Sequence, residues 1–170
     1  MIRIVIAEDQ EMMLAAIGSL LNLEDDLEVV GLAANGDEAI NLVYRLRPDV
    51  CLMDIEMPEK SGLEAAEILK PFDCKVIILT TFARKGYWHR ALKANVRGYL
   101  LKDSPSDELA DTIRSIISGH RVFSQELMDE ESHRIEEAPV NPVVPEDKPM
   151  FGTVKKYLST LREKMKMPTG

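Results

Sequence analysis

Five short apolar runs, each followed by a stretch with helical spacing, fill the first 120 residues of the chain. Ile2–Ala7 stops at Glu8 and Asp9, Leu27–Ala33 follows, and Val50–Met53 is closed by Asp54. Lys75–Thr80 carries Val76, Ile77, Ile78 and Leu79 in a row, as a strand buried on both faces would. Gly98–Leu101 leads into Lys102. Between these runs, Glu11–Asn22 places Met13, Ile17, Leu20 and Leu21 on one stripe. Asn35 with Glu38, and Ser61 with Glu64, read as helix N-caps. A helix is expected over Gly86–Lys93, and another from Ser104, Pro105 and Asp107 to about Ser118, before Gly119. Strands alternating with helices predict a five-stranded, parallel, doubly wound α/β sheet, flavodoxin-like, with helices on both faces. Functional residues then belong at the carboxyl ends of the strands.

At 170 residues the chain is one domain, or one domain with an appendage. A net charge of −8 argues against a protein that coats nucleic acid or anionic membrane along its whole surface. No apolar run reaches the roughly 18–20 residues of a membrane span, and Met1–Ala7 is too short for a signal peptide core. Cys51 and Cys74 stand alone in apolar stretches, which excludes a disulfide framework or a zinc site. The expectation is a cytoplasmic protein with reduced thiols. His89, His120 and His133 are scattered and read as surface residues; the methionines read as core and interface filler.

The strand ends gather one kind of chemistry. Glu8, Asp9 and Asp54 are carboxylates on one sheet edge, and like charges this close repel unless a cation joins them. Hard oxygen ligands suit Mg²⁺. Thr80 and Lys102 on the same edge offer donors to an incoming anion. Carboxylates, Mg²⁺, lysine and threonine together describe phosphoryl transfer to a carboxylate nucleophile. Taken singly, Asp9 reads more readily as a helix cap, and Asp54 can be a turn residue before Pro58, Lys102 a solvated loop charge and Tyr99 half-buried core.

The runs IAEDQ at 6–10, LMDIEMP at 52–58, ILTTF at 78–82 and GYLLKD at 98–103 resemble the receiver domain of bacterial two-component response regulators. The likeness covers about residues 1–127. The wording of LLNLEDDLEVVG, TTFAR and GYLLKDSPSDELA is most similar to the NarL/FixJ class, and within it to regulators of membrane-lipid desaturation. This resemblance implies that Asp54 is the phosphoacceptor, served by a sensor histidine kinase. It implies that Asp9 binds Mg²⁺ directly, Glu8 mainly through water, and Glu56 through its backbone carbonyl. Lys102 would pair with carboxylate or phosphoryl oxygen, Thr80 would turn toward the phosphoryl group, and Tyr99 would be the switch aromatic. Glu56 and Phe82, two beyond the acceptor and two beyond the threonine, would tune dephosphorylation. Asp103 stands where many receivers carry proline.

Composition changes after Leu127. Residues 128–150 form an acidic, proline-containing linker, with seven acids between 129 and 147. Residues 151–170 carry a local charge of +4, which leaves −12 on the rest. Val154, Leu158, Leu161 and Met165 share a helical stripe, and the stretch 152–167 resembles the recognition helix of a LuxR-type helix-turn-helix. Lys155, Lys156 and Arg162 are its candidate DNA contacts. Roughly 25 residues of the family's expected scaffold are missing before it, so specific DNA binding is expected to be weak; a lone helix of this length is marginal in water. Met12, Ala16 and Leu23 on the first helix, with Leu109, Ile113 and Ile116 on the last, are read as an exposed apolar face for a phosphorylation-promoted homodimer. The leading expectation is a non-enzymatic response regulator with transcriptional output. Its rivals are a receiver-only protein acting by binding or as a phosphate sink, and an enzyme with a haloacid-dehalogenase-like aspartate. The latter wants Asp-x-Asp where this chain has Glu8-Asp9.

Overall fold

In the computed structural model, residues 1–81, 84, 86–103, 106–125 and 127 are described. The expected linker and basic helix, with Lys155, Lys156 and Arg162, lie outside them, as do Phe82, Ser104 and Pro105. Strands β1 (Ile2–Ala7), β2 (Leu27–Ala33), β3 (Val50–Asp54), β4 (Lys75–Thr80), β5 (Gly98–Leu101) and β6 (Val122–Phe123) form one parallel sheet in the order β2-β1-β3-β4-β5-β6. Helices α1 (Glu11–Leu21), α2 (Gly36–Leu46), α3 (Gly62–Leu69), α4 (Tyr87–Lys93) and α5 (Ser106–Ile117) connect them. No described helix is long and apolar enough to cross a membrane.

The caps read from the sequence are made. The Asn35 side chain accepts the Glu38 amide at 2.9 Å, and the Glu38 carboxylate reaches back to the Ala34 amide at 2.8 Å. Ser61 Oγ accepts the Glu64 amide at 3.2 Å. Each side-chain oxygen satisfies an amide that has no partner inside the helix.

The sheet divides the core in two. On one face Ile4, Ile6, Leu52, Ile77 and Leu79 meet the stripe of α1 and the inner face of α5. On the other, Val5, Met53, Ile78 and Tyr99 meet α2, α3 and α4. Consecutive strand residues alternate between these clusters, which is why the runs are apolar without a polar alternation. Cys51 is fully buried and Cys74 partly so, and neither is in a disulfide. Burial pushes both thiols up, Cys74 to about 12.

Two expectations are corrected. The sheet has six strands, not five: β6 pairs with β5 through Gly98–Val122 and Tyr99–Phe123. Two residues give no periodic signal, and the strand is fixed by tertiary contact, with Phe123 edge-on to Trp88 at 4.9 Å between centroids. The apolar face proposed for pairing is also not exposed as expected. Ala16 on α1 and Leu109, Ile113 and Ile116 on α5 are buried, because both helices turn these residues inward to the core. Only Met12 and Leu23 of that set are exposed, at 61% and 43%.

Candidate functional site

Strand register assembles the site. Ala7 sits beside Met53, Asp54 beside Leu79, and Thr80 beside Leu101. The next residue of β1 and of β5 is then Glu8 and Lys102, both on the edge that holds Asp54 and Thr80. The chain leaves β1 and β3 toward opposite faces, since α1 and α3 belong to different core layers. The crevice opened at such a switch point is where α/β sheets bind ligands.

Gly62 brings α3 hard against the end of β3. Its amide donates to the Ile55 carbonyl at 2.9 Å. A Cβ there would lie 1.9 Å from the Asp54 carbonyl oxygen, so any other residue would push α3 away. In the sequence the one signal for this glycine is its place directly after the Ser61 cap.

Lys102 is buried and makes two ion pairs, to Glu8 Oε2 at 2.5 Å and to Asp54 Oδ2 at 3.0 Å. Glu8 Oε1 accepts the Gln10 amide at 3.1 Å. Glu8, Asp54 and Thr80 are buried, whereas Asp9 is exposed at the rim. Carboxylate oxygens of Glu8, Asp9 and Asp54 all lie within 4.8 Å of one another. The expected quartet of Glu8, Asp9, Asp54 and Lys102 is thus brought together, with the Thr80 carbonyl accepting the Lys102 amide at 2.9 Å.

Charge in this crevice is unbalanced. Burial pushes Glu8 up to about 7 and raises Asp54, although the Lys102 ammonium pulls both down. Lys102 itself is held above its usual range, because the two carboxylates outweigh the burial that disfavours its charge. One ammonium among three carboxylates leaves a deficit of positive charge in a partly dry pocket. The donor set, oxygen only with one ligand open to water, fits a hard divalent cation such as Mg²⁺. This fit is the structural ground for a metal at the site.

Tyr99 is fully buried, not half-buried, and its ring lies 5.6 Å from that of Trp88 on α4. Glu56 extends from the loop after β3. Its carboxylate is met by Arg84 Nε at 2.8 Å and by the Tyr87 hydroxyl at 3.4 Å, contacts that sequence reading did not foresee. Burial and the Glu56 charge raise the Tyr87 phenol.

Residues 4–114 match the response regulator receiver domain. The transcriptional regulatory protein DesR of Bacillus subtilis is 51% identical over 187 positions, covering 98% of this chain and 92% of that protein. The uncharacterized transcriptional regulatory protein YvfU of the same species is 60% identical over 129 positions, covering 75% of this chain and 64% of that protein. Among solved structures, a LuxR-family DNA-binding response regulator from Staphylococcus aureus superposes with a TM-score of 0.66 at 38% identity, over 69% of this chain and 99% of that one. Matched over most of its length and carrying the acid–lysine edge at its strand ends, the chain belongs to the response regulators of two-component systems and contains their receiver domain.

Proposed function

We propose that Asp54 is the phosphoacceptor of this regulator and that a sensor histidine kinase is its donor. The observation that carries the reading is the Lys102 ammonium bridging Glu8 and Asp54, with Asp9 beside them at the rim. Asp9 and Glu8, with the Glu56 carbonyl, would hold Mg²⁺, which supplies charge neutralisation between the acceptor and the incoming phosphoryl group. Lys102 orients Asp54 and neutralises a phosphoryl oxygen. Thr80 contributes a hydroxyl from the next strand, and Tyr99 with Trp88 links the site to α4. Phosphorylation then shifts an existing equilibrium between two receiver conformations.

Incubation with acetyl phosphate and Mg²⁺, followed by intact-mass measurement, tests this: one phosphoryl group is added per chain. Equal labelling of Asp54→Ala would refute the assignment.

The output we propose is transcriptional, as the names of the relatives indicate, with residues 1–127 as receiver, 128–150 as linker and 151–170 as the remnant of a DNA reader. A second reading has one specific support. The DesR alignment has 17 more positions than the chain has residues, so at least that many DesR residues face a gap here. A reader lacking its scaffold leaves a receiver that signals by protein contact. Duplex titrations at about 50 and 200 mM salt separate the two. Weak, sequence-independent binding that fades at the higher salt supports the receiver-only reading. Homodimerisation on phosphorylation is the remaining proposal, with Met12 and Leu23 as its exposed apolar residues. Light scattering with and without acetyl phosphate measures it.

A further inference from the structure

The amino ends of β4 and β5 hold a polar cleft, on the sheet edge opposite Asp54. Lys75 opens β4 and Thr80 closes it, so strand steps of about 3.3 Å put roughly 16 Å between the cleft and the acidic edge. Its walls are the end of α3, the turn into β4 and the turn from α4 into β5. The cavity measures ≈ 60 Å³. Pockets that engulf a drug-sized ligand run to roughly 300–1,000 Å³, so this one has room for a small head group only. Charge decides which. Lys70, Lys75 and Arg97 line the cleft against one lining acid, Asp73. Arg121 is held beside it by donating to Asn95 Oδ1 at 2.6 Å, which leaves the Asn95 amide nitrogen as a further donor. The chain has 29 acids for 21 Lys and Arg, and Lys60, Arg84, Arg90, Lys102 and Arg114 are all ion-paired. Among the described residues, Lys70, Lys75 and Arg97 have no ion-pair partner. Cations gathered apart from acids in an acid-rich chain favour an anion from outside. Burial pushes the lining Cys74 thiol up to about 12, so it stays neutral and does not repel one. Asp49, the other acid near Cys74, accepts the Arg3 amide at 2.8 Å. Phe72 lines the cleft and meets the exposed Tyr44 ring edge-on, at 6.3 Å between centroids.

We propose that this cleft binds a small phosphate monoester, its phosphate held by Lys70, Lys75 and Arg97 and its organic part lying over the Phe72 and Tyr44 rings. The guanidinium fork matches two phosphate oxygens, and the lysines add point charges. The site is separate from the Asp54 crevice and stands whether or not Asp54 is the acceptor. Lys70 caps the end of α3 and Asn95 follows the end of α4, so an occupant ties the two helices together at that edge.

The test is an amide NMR titration of the full, isotope-labelled chain with phenyl phosphate, in buffer free of Mg²⁺ so that the acidic edge does not compete. The Lys75, Asn95 and Arg97 amides shift and saturate, and phenol, which lacks the phosphate, leaves them in place. The Lys75→Gln, Arg97→Gln double variant keeps the amide pattern of β1 and β3 and binds about tenfold more weakly or worse, as loss of charge-assisted hydrogen bonds requires. Asp73→Asn, which removes the repelling charge, binds several-fold more tightly. Shifts that centre on Asp54 and Thr80 overturn the proposal. So does an equal response to sulfate at the same ionic strength, which is charge screening only, and so does undiminished binding in the folded double variant.

Discussion

Helices α5 and α4 flank neighbouring strands and are held by different means. Along α5, Leu109, Ala110, Ile113 and Ile116 are all buried against the sheet. Arg114 on its flank pins the helix to the α1–β2 turn, reaching Asp26 at 2.7 Å and Glu24 at 2.8 Å. Along α4 only Ala91 is buried, and the helix starts on Gly86 in the left-handed region at φ 87°. Its attachments are polar and exposed, Arg84 and Tyr87 to Glu56 and Arg90 to Glu67, together with the Trp88 ring against Tyr99 and Phe123. Few buried apolar contacts mean a low free energy of local opening. The sheet edge with the acids therefore sits between a firmly packed wall and a loosely packed one, and on the proposed function a change of charge there is expected to be expressed through α4.

The comparison breaks first on core substitutions. Ile113→Ala should cost about 3 kcal/mol in urea unfolding, in the range for truncating a buried isoleucine. Leu92→Ala on α4, a partly exposed position, should cost about 0.5 kcal/mol or less. Similar losses would mean that α4 is held as firmly as α5. Between these lies Trp88→Ala, expected to cost about 1–2 kcal/mol because the ring is only partly buried.

Trp88 also sharpens the contrast without mutation. It is the single tryptophan of the chain and touches Tyr99, so its emission reports on the α4 side alone. Acetyl phosphate with Mg²⁺ should change that emission in the parent and leave Asp54→Ala unaffected. A silent tryptophan in a fully labelled sample would place the response elsewhere.

The smallest effect concerns α5. Hydrogen bonding to Arg114 holds the Asp26 carboxyl below its usual range. A depressed folded-state value contributes stability above the unfolded carboxyl's pKa of about 3.9, and that contribution is lost as pH falls through the folded value. Arg114→Ala should thus be slightly less stable than the parent at neutral pH, with the gap closing below about pH 3.9. A gap unchanged down to pH 2 would show that the arginine acts by packing instead.

Much of this arrangement was legible in the residues. Strand and helix positions followed from apolar runs and from side-chain caps, which are local signals: Asn35 with Glu38 and Ser61 with Glu64 each fix a helix start within four residues. The acid–lysine edge followed because a parallel sheet aligns strand ends. What was not legible depends on contacts distant in sequence. The pair Val122–Phe123 becomes a strand only beside β5. The inward turn of Ile113 and Ile116 depends on how α5 lies on the sheet, which an apolar list cannot tell from surplus surface. The Glu56–Arg84 pair spans a loop whose path the sequence does not determine.

The pairing of Ala7 with Met53, Asp54 with Leu79 and Thr80 with Leu101 carries a consequence for quality control. A strand that slips by one residue moves its side chains about 3.3 Å and turns each to the opposite face. A slip of β1, β3 or β5 separates Lys102 from Glu8 or Asp54, whose contacts are 2.5 and 3.0 Å. The acidic edge is therefore a checksum on the register of the inner strands. A preparation's capacity to take up ligand there counts correctly threaded molecules one by one, where a melting curve gives only their average.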